Sequence, residues 1–160
     1  MNLLYRFLKG RRFKAINRML RTEGTMLDIG CQDLYFYSHL KPTYEITLAD
    51  YDPIGENIEK QDIQDLDYDD NSFDIVLALE VLEHVPDPIE AISELKRVAK
   101  KQLIISVPNE PWFSFWRGMT WERQHLWAIT PAVLKHYLGE PSFEKVIVLK
   151  RYYLGVWNYE

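Results

Sequence analysis

The most informative segment of this chain is residues 72–85, with the sequence SFDIVLALEVLEHV. It opens with a nearly continuous apolar run, 72–79, which is typical of a central strand covered on both faces of a sheet. Glu80 ends that run, and Glu83 and His84 follow within one helical turn. The segment therefore predicts a buried strand whose carboxyl end carries side chains capable of acid–base or ligand chemistry.

Strands and helices alternate on both sides of this segment. Further runs with strand composition lie at 25–29, 44–50, 57–63 and 102–108, followed by a C-terminal pair at 143–151 and 152–158. Helices are predicted over 33–41 and 87–100, and from Thr130, a cap followed by Pro131, to Gly139. The C-terminal pair is predicted to be antiparallel. The alternation favours a mostly parallel α/β sheet with right-handed crossovers.

Composition restricts the class of protein. The chain has 160 residues, of which 47% are hydrophobic and 27% charged, as expected for one globular domain. Cys31 is the only cysteine, so an intrachain disulfide is excluded and a cytoplasmic location is favoured. Apolar runs stay below the ~18 residues that a membrane-spanning helix needs. Near the N-terminus, basic residues interrupt the apolar stretch that a secretory signal would require. We therefore expect neither a secreted disulfide scaffold nor an integral membrane protein.

The charge is unevenly distributed. The net charge is −5, yet residues 1–22 contain seven of the 19 basic residues and no acidic one. Residues 1–24 are predicted to form a basic amphipathic helical segment, and 25–160 the main domain. We interpret the segment first as a lid over a ligand, and second as a contact to an anionic surface. The acidic body argues against a nucleic-acid partner.

Two acidic residues lie where parallel sheets bind nucleotides. Asp28 ends the first predicted strand just before Gly30, and Asp50 ends the second strand 20 residues after that glycine. Ligands of such sheets bind at the carboxyl ends of the strands, and an acid at the second strand accepts hydrogen bonds from ribose hydroxyls. A nucleoside-containing cofactor is predicted here. A dinucleotide fold is disfavoured because GCQDLY lacks the G-x-G-x-x-G pattern.

Four segments in succession carry a family resemblance. They are MLDIGCQDLYFYSHLK (26–41), ITLADYDP (46–53), EKQDIQDLDYDDNSFDIVLALEVLEHVPDP (59–88) and LIISVPN (103–109). In order and content the chain resembles the class I S-adenosylmethionine-dependent methyltransferases over about residues 25–150. The resemblance implies a Rossmann-like, mostly parallel seven-stranded sheet of order 3-2-1-4-5-7-6, with helices on both faces. It also implies S-adenosylmethionine as cofactor and S-adenosylhomocysteine as product.

The same resemblance implies a set of cofactor-binding residues. The methionine part of the cofactor is assigned to the first motif, and the ribose to Asp50. Tyr51 and the pair Asp62 and Ile63 are assigned to the adenine, and the end of the fourth strand lies below the sulfonium. The complete set is Asp28, Gly30, Cys31, Asp50, Tyr51, Asp62, Ile63, Leu79 and Glu80.

The chain departs from the family pattern in two places. Gln32 and Leu34 replace the second and third glycines of the first motif. The second glycine lets the backbone approach the cofactor closely, and Gln32 narrows that space. Only 11 residues separate Asp50 from Asp62, too few for the usual crossover helix. One flank of the sheet is therefore predicted to be uncovered. These departures motivate the alternative of a non-catalytic methyltransferase-like binding module.

Glu83, His84 and His125 are the predicted catalytic residues, with His84 or Glu83 as general base for a substrate hydroxyl. If the turn is helical, Glu80, Glu83 and His84 point the same way. Together with His125 they resemble the metal set of quinone-precursor O-methyltransferases and small-RNA 2′-O-methyltransferases. We favour the metal-free interpretation, because many metal-free members share the E-H-V sequence.

Residues 112–127 are rich in aromatic side chains and follow the fifth strand. Their aromatic members are Trp112, Phe113, Phe115, Trp116, Trp121 and Trp127. Such side chains line pockets for apolar acceptors, dock on membranes or proteins together with 1–22, or fill the core. The sequence thus predicts methyl transfer to a small-molecule or lipid-linked acceptor at oxygen, and leaves the oligomeric state open.

Overall fold

A seven-stranded sheet forms the centre of the molecule in the computed structural model, which describes residues 13–20, 23–31, 43–109, 125–147 and 152–159. The strands are β1 (Gly24–Ile29), β2 (Tyr44–Asp50), β3 (Glu59–Lys60), β4 (Phe73–Leu79), β5 (Ala99–Pro108), β6 (Phe143–Ile147) and β7 (Tyr152–Asn158). Their order is β3-β2-β1-β4-β5-β7-β6. This order confirms the predicted sheet.

The central strands are parallel and buried on both faces. In β4, Ile75 to Ala78 pair with Met26 to Ile29 of β1 on one side and with β5 on the other. All four of these β4 residues have no exposed surface, which explains the continuous apolar run. Strand β7 is antiparallel to both β5 and β6, as the C-terminal pair predicted.

Two helices of the described structure begin after a capping side chain. The first ends at Val98, two residues short of the predicted range 87–100, because Ala99 and Lys100 already belong to β5. Helix α1 (Pro88–Val98) starts after Asp87, whose carboxylate accepts hydrogen bonds from the backbone N–H groups of Ile89 and Glu90. Helix α2 (Pro131–Leu138) starts after Thr130, whose hydroxyl accepts from Val133 N–H, and ends at Gly139. The apolar side of α1 packs on the sheet, which sets the position of the turn preceding it.

The crossover between β2 and β3 contains neither helix nor strand over residues 51–58. The predicted loss of a helix there is confirmed. Strand β3 forms only two residue pairs with β2 and lies at the edge of the sheet. Beside it, Ile54 is 88% exposed. The described structure thus leaves this flank of the sheet open.

Residues 13–17 are helical and cover one face of the sheet. Ile16 is fully buried there in a cluster with Met26 and Ile104. Met19 C=O accepts a hydrogen bond of 3.0 Å from the Gln102 side chain, toward the amino end of β5. For residues 13–20 the lid interpretation is therefore wrong, because they pack away from the carboxyl edge. The physical reason is that burial of apolar side chains such as Ile16 against the sheet is favourable.

Several predictions fall on parts of the chain outside the described residues. These are residues 1–12, the helix over 33–41 with Gln32 and Leu34, and Trp112, Phe113, Phe115, Trp116 and Trp121. The boundary at residue 24 between two parts of the chain stays a prediction. Among the described residues, no helix is long and apolar enough to span a membrane.

Candidate active site

The sheet changes its winding direction between β1 and β4. From β1 the chain proceeds through β2 to β3 on one side, and from β4 to β5 on the other. Ligands of open α/β sheets bind at this switch point, outside the carboxyl ends of the strands. Gly30 follows β1, Asp50 ends β2 and Glu80 follows β4, so the predicted cofactor residues meet at one edge.

The turn after β1 is held close to the neighbouring strand ends. Gly30 N–H donates to Ala49 C=O at 2.8 Å, and Cys31 N–H reaches the same carbonyl at 3.4 Å. Gly30 has φ of 81°, and a Cβ atom there would overlap Val81 Cγ2. The glycine is thus required both by its left-handed backbone and by the side chain that follows β4.

The remaining residues of the first motif are buried. Asp28 is 5% exposed and Cys31 is 4% exposed. Burial raises the pKa of the Cys31 thiol to about 12, with smaller contributions from the carboxylates of Asp28 and Asp50. The thiol is therefore protonated at neutral pH and contributes shape to this edge rather than a nucleophile.

The residues assigned to the adenosine part lie on β2 and on the segment after β3. Asp50 Oδ1 accepts from Asp52 N–H at 3.0 Å, and the Tyr51 ring beside it is 68% exposed. Asp62 Oδ1 accepts from the backbone N–H of Gln64 at 2.9 Å. Ile63 is 5% exposed, and its side chain packs in the core. These contacts fix the two carboxylates at the same edge, and their cofactor roles stay predictions.

Glu80 is oriented differently from what helical spacing indicates. Its φ is 62°, and the 3-10 turn begins only at Leu82. The Ser106 hydroxyl donates to Glu80 Oε1 at 2.8 Å, and Glu80 N–H donates to Ser106 C=O at 2.9 Å. The prediction that Glu80, Glu83 and His84 share one direction is therefore wrong, because the left-handed residue precedes the turn and β5 holds its carboxylate.

Glu83, His84 and His125 do come together. One potential ligand atom from each lies within 4.8 Å of the others. Glu83 is 1% exposed, and its Oε1 lies 3.9 Å from His84 Nε2. The imidazoles of His84 and His125 meet edge to face, with centroids 4.8 Å apart. A half-exposed imidazole thus stands between a buried carboxylate and a second imidazole.

Backbone hydrogen bonds bring His125 to this turn. Leu126 N–H donates to Glu83 C=O at 2.7 Å, and Trp127 N–H reaches the same carbonyl at 3.3 Å. The Trp127 indole N–H donates to Val85 C=O at 2.9 Å. Leu126 and Trp127 remain 58% and 47% exposed, and offer apolar surface beside the histidines. Residues 126 and 127 are thereby fixed to the turn after β4.

This arrangement suits proton transfer from a hydroxyl group. A half-exposed imidazole can accept a proton, and the Glu83 carboxylate lies close enough to pair with the resulting imidazolium. The three side chains also have the chemistry of a two-histidine, one-carboxylate metal set, whose bonds to Zn²⁺ are about 2.0–2.2 Å. Glu80 does not belong to this group among the described residues, so the predicted four-ligand set is corrected to three.

Two residues of the site were not predicted from the sequence. Ser106 is fully buried in β5 and holds Glu80, and Val81 fills the space that Gly30 leaves. A serine inside the apolar run LIISVP is the pattern that indicates the first of them. Nothing in the local sequence indicates the second, because its contact is with the end of a different strand.

The strand order and the acidic strand ends define a Rossmann-like methyltransferase fold of class I. Residues 4–146 match the family model described as a methyltransferase domain, and the chain belongs to that family. It is an S-adenosylmethionine-dependent methyltransferase. None of the curated proteins matches the chain.

Solved structures share the fold at low sequence identity. A possible histamine N-methyltransferase of Thermotoga maritima has a TM-score of 0.72 at 16% identity, covering 99% of this chain and 92% of its own. The N-methyltransferase NodS of Bradyrhizobium japonicum, in complex with S-adenosylhomocysteine, has a TM-score of 0.68 at 18% identity. The match covers 96% of this chain and 88% of NodS. A structure of the complex between the Haloferax volcanii Trm112 methyltransferase activator and a putative methyltransferase has a TM-score of 0.71 at 17% identity. The match covers 92% of this chain and 89% of the matched chain.

Proposed function

We propose that this enzyme transfers a methyl group to a hydroxyl oxygen of a small-molecule or lipid-linked acceptor. The observation that carries the proposal is the cluster of Glu83, His84 and His125 beside the carboxyl edge of the sheet. An amine that is already neutral needs no base before methylation, whereas a hydroxyl gains from one. A base with a buried carboxylate beside it therefore supports oxygen as the acceptor atom. A cytoplasmic location stays part of the same prediction.

In this mechanism His84 accepts the proton of the acceptor hydroxyl. The acceptor oxygen forms the new bond to the methyl carbon, and Glu83 pairs with the imidazolium. The His125 ring packs edge to face with the His84 ring and limits its orientation. When bound, S-adenosylmethionine would supply an activated methyl group on its sulfonium, with a neutral thioether as the leaving group. Most of the remaining catalysis is positioning.

The assigned cofactor residues keep their proposed roles. Asp50 accepts hydrogen bonds from the ribose hydroxyls, and the exposed ring of Tyr51 lies beside the adenine. Asp62 faces the adenine amino group, with the adjoining residue Ile63 at the ring. Asp28, Gly30, Cys31, Leu79 and Glu80 surround the methionine part. Their position at the carboxyl edge of the sheet, from the switch point between β1 and β4 out to the residues after β3, supports the assignment.

Exposed apolar side chains support an acceptor with an apolar or aromatic portion. Leu126 and Trp127 lie directly after His125, and their backbone is fixed on Glu83. Pockets for small molecules combine such surfaces with a few polar groups. In this proposal the hydroxyl group of the acceptor lies at His84, and the apolar portion of the acceptor lies against Leu126 and Trp127. Peripheral contacts through 1–22 and 112–127 stay predictions.

A metal-assisted form of the same reaction is the second candidate. The three donor atoms within 4.8 Å favour it, since a small movement brings them into range of one divalent cation. Glu83, His84 and His125 would hold the ion, which would polarise the acceptor oxygen. The RNA 2′-hydroxyl acceptor associated with such sites belongs in the same acceptor screen.

Calorimetric titration with S-adenosylhomocysteine tests the cofactor site. We expect micromolar binding by the wild type, loss of binding in Asp50→Ala, and no change in Asp69→Ala, an exposed aspartate outside the site. A folded wild type that binds no S-adenosylhomocysteine would contradict the proposal and favour the non-catalytic binding module.

An acceptor screen with alcohols, phenols, amines and short RNA, with and without Mn²⁺, tests the chemistry. We expect methylated hydroxyls, and a loss of about 10²–10⁴ in kcat for His84→Ala with cofactor binding retained. His136→Ala, in an exposed histidine of α2, serves as the matched control. Two structural neighbours are named as N-methyltransferases. Methyl transfer by this enzyme to amines alone would overturn the oxygen assignment. Activity that requires Mn²⁺ would select the metal-assisted form.

A further inference from the structure

Glu80 occupies the centre of the ligand-binding edge. It follows β4 directly, and β4 lies between β1 and β5 in the sheet. The register pairs Ala78 with Ile29 on one side and Leu79 with Ser106 on the other. Glu80 therefore extends the central strand past the switch point, where a ligand of this fold binds.

The backbone of Glu80 is in a conformation that a glutamate rarely adopts. Its φ of 62° lies in the left-handed region, which is unfavourable for residues with a Cβ atom. Such conformations persist where the surrounding structure enforces them, and they are concentrated at functional sites. Here the bond from Glu80 N–H to Ser106 C=O, at 2.9 Å, fixes the backbone after the strand.

The carboxylate is fixed as well as the backbone. The Ser106 hydroxyl, on a residue with no exposed surface, donates to Glu80 Oε1 at 2.8 Å. A hydroxyl that donates to a carboxylate oxygen favours the charged form and sets its direction. The two bonds to one residue of β5 together fix the Glu80 carboxylate at the carboxyl end of β4, beside β5.

We propose that Glu80 distinguishes the sulfonium of S-adenosylmethionine from the neutral thioether of S-adenosylhomocysteine, with Ser106 as its positioning residue. The inference rests on the proposed cofactor site. Before transfer the sulfur carries one positive charge, which the carboxylate attracts. When the methyl group leaves, the electron pair of the broken C–S bond stays on sulfur and the charge disappears. The attraction ends with it, so this contribution to binding is present for the substrate and absent for the product.

This role predicts a specific kinetic pattern. Positive charge on sulfur decreases as the methyl group departs, so the carboxylate stabilises bound substrate at least as well as the transition state. Loss of the charge should therefore raise KM for S-adenosylmethionine and leave kcat unchanged or slightly higher. A residue that only supported the fold would lower binding of both cofactor forms together.

The test is the ratio of dissociation constants for S-adenosylmethionine and S-adenosylhomocysteine, measured by calorimetry. Glu80→Gln keeps an acceptor for Ser106 and removes the charge. We expect it to weaken S-adenosylmethionine about tenfold and S-adenosylhomocysteine less than about twofold, as for loss of one charge-assisted contact. In an Asp50→Asn variant both ligands should weaken equally, because they share the ribose.

Ser106 variants test the positioning role and replace Glu80→Gln if that variant does not fold. Ser106→Ala should shift the ratio in the same direction by a smaller factor, and Ser106→Thr, which restores a hydroxyl, should recover it. Ser93→Ala, in an exposed serine of α1, should leave both constants unchanged. Equal weakening of both ligands in Glu80→Gln, or no change in either, would overturn the inference. A wild type that binds neither ligand would instead contradict the proposed cofactor site.

Discussion

Gly30 shows how one missing Cβ atom lets two strand ends approach each other. Its left-handed backbone follows β1, and Val81 of the chain after β4 fills the space beside it. Val81 is followed by the turn that carries Glu83 and His84. The contact between Gly30 and Val81 therefore couples the cofactor edge to the catalytic turn through direct packing.

Gly30→Ala should destabilise the protein by about 2–4 kcal/mol, through overlap with Val81 and an unfavourable backbone conformation. Urea unfolding followed by circular dichroism measures the change. Gly55→Ala is the control, because a Cβ atom there would meet nothing closer than Ile58 Cδ1 at 3.4 Å. It should stay within about 0.5 kcal/mol of the wild type. Equal effects of the two substitutions would show that the contact with Val81 is not tightly packed.

At the level of residues, the sequence predicts which side chains reach the edge but not how each is oriented. Asp28 and Asp50 could be placed because each ends an apolar run. Glu80 could not, because a glutamate gives no indication of a left-handed backbone and its partner Ser106 lies 26 residues away. The approach of His125 to His84 likewise depends on hydrogen bonds from residues 126 and 127 to Glu83, which spacing alone does not reveal.

At the level of elements, α1 is fixed to the loop that precedes β4 by one side chain. The Arg97 guanidinium donates to both oxygens of Glu94, at 2.7 and 2.8 Å. It also donates to Tyr68 C=O at 2.7 Å and to Leu66 C=O at 2.9 Å. Glu94 in turn accepts from Leu66 N–H at 2.9 Å. This network holds the loop that begins with Asp62, and therefore one side of the proposed cofactor site.

Arg97→Lys should lower the free energy of unfolding by about 2 kcal/mol, because a lysine cannot donate in several fixed directions at once. Amide hydrogen exchange should accelerate in residues 62–70 more than in the strands. Lys96→Ala, at an exposed position of the same helix, should change neither quantity appreciably. Unchanged exchange in the loop of the Arg97 variant would show that other contacts hold it.

The elements themselves were largely predictable, for local reasons. Thr130 followed by Pro131 marks the start of α2, and apolar periodicity marks α1, although the predicted range 87–100 ran two residues into β5. The short crossover after Asp50 excluded a helix by length alone. The strand order came from the family resemblance, since apolar runs do not specify which strands become neighbours. The packing of Ile16 on the sheet was missed because an amphipathic helix does not reveal what it covers.

At the scale of the whole molecule, ion pairs distributed over the fold make its stability depend on pH. The pKa of Asp74 is lowered, first by its hydrogen bond from Lys101 and then by Thr25 N–H. The pKa of Glu94 is lowered by Arg97, and the pKa of Glu144 by Lys135 and the Tyr153 hydroxyl. Asp74 joins β4 to β5, Glu144 joins β6 to α2, and Glu94 joins α1 to its loop through the bond from Leu66 N–H.

A carboxylate whose pKa is lowered in the folded protein stabilises the fold fully when the pH is above its ordinary pKa. This contribution is lost as the pH falls through the pKa of the folded state. The ordinary values are 3.8 for Asp74 and 4.5 for Glu94 and Glu144. We therefore expect a constant free energy of unfolding near pH 6–7 and a decline that starts near 4.5 and steepens below 3.8. Urea titrations at a series of pH values measure this profile.

Asp74→Asn provides the decisive comparison for that profile. It should cost about 1 kcal/mol at pH 7, where the ion pair with Lys101 is complete. At a pH low enough to protonate Asp74 in the folded wild type, the difference between the two proteins should shrink, because the wild type has then lost the same charge. Asp69→Asn, at an exposed position, should run parallel to the wild type throughout. A difference between Asp74→Asn and wild type that stays constant down to the lowest pH would mean that packing, and not charge, is what Asp74 contributes between β4 and β5.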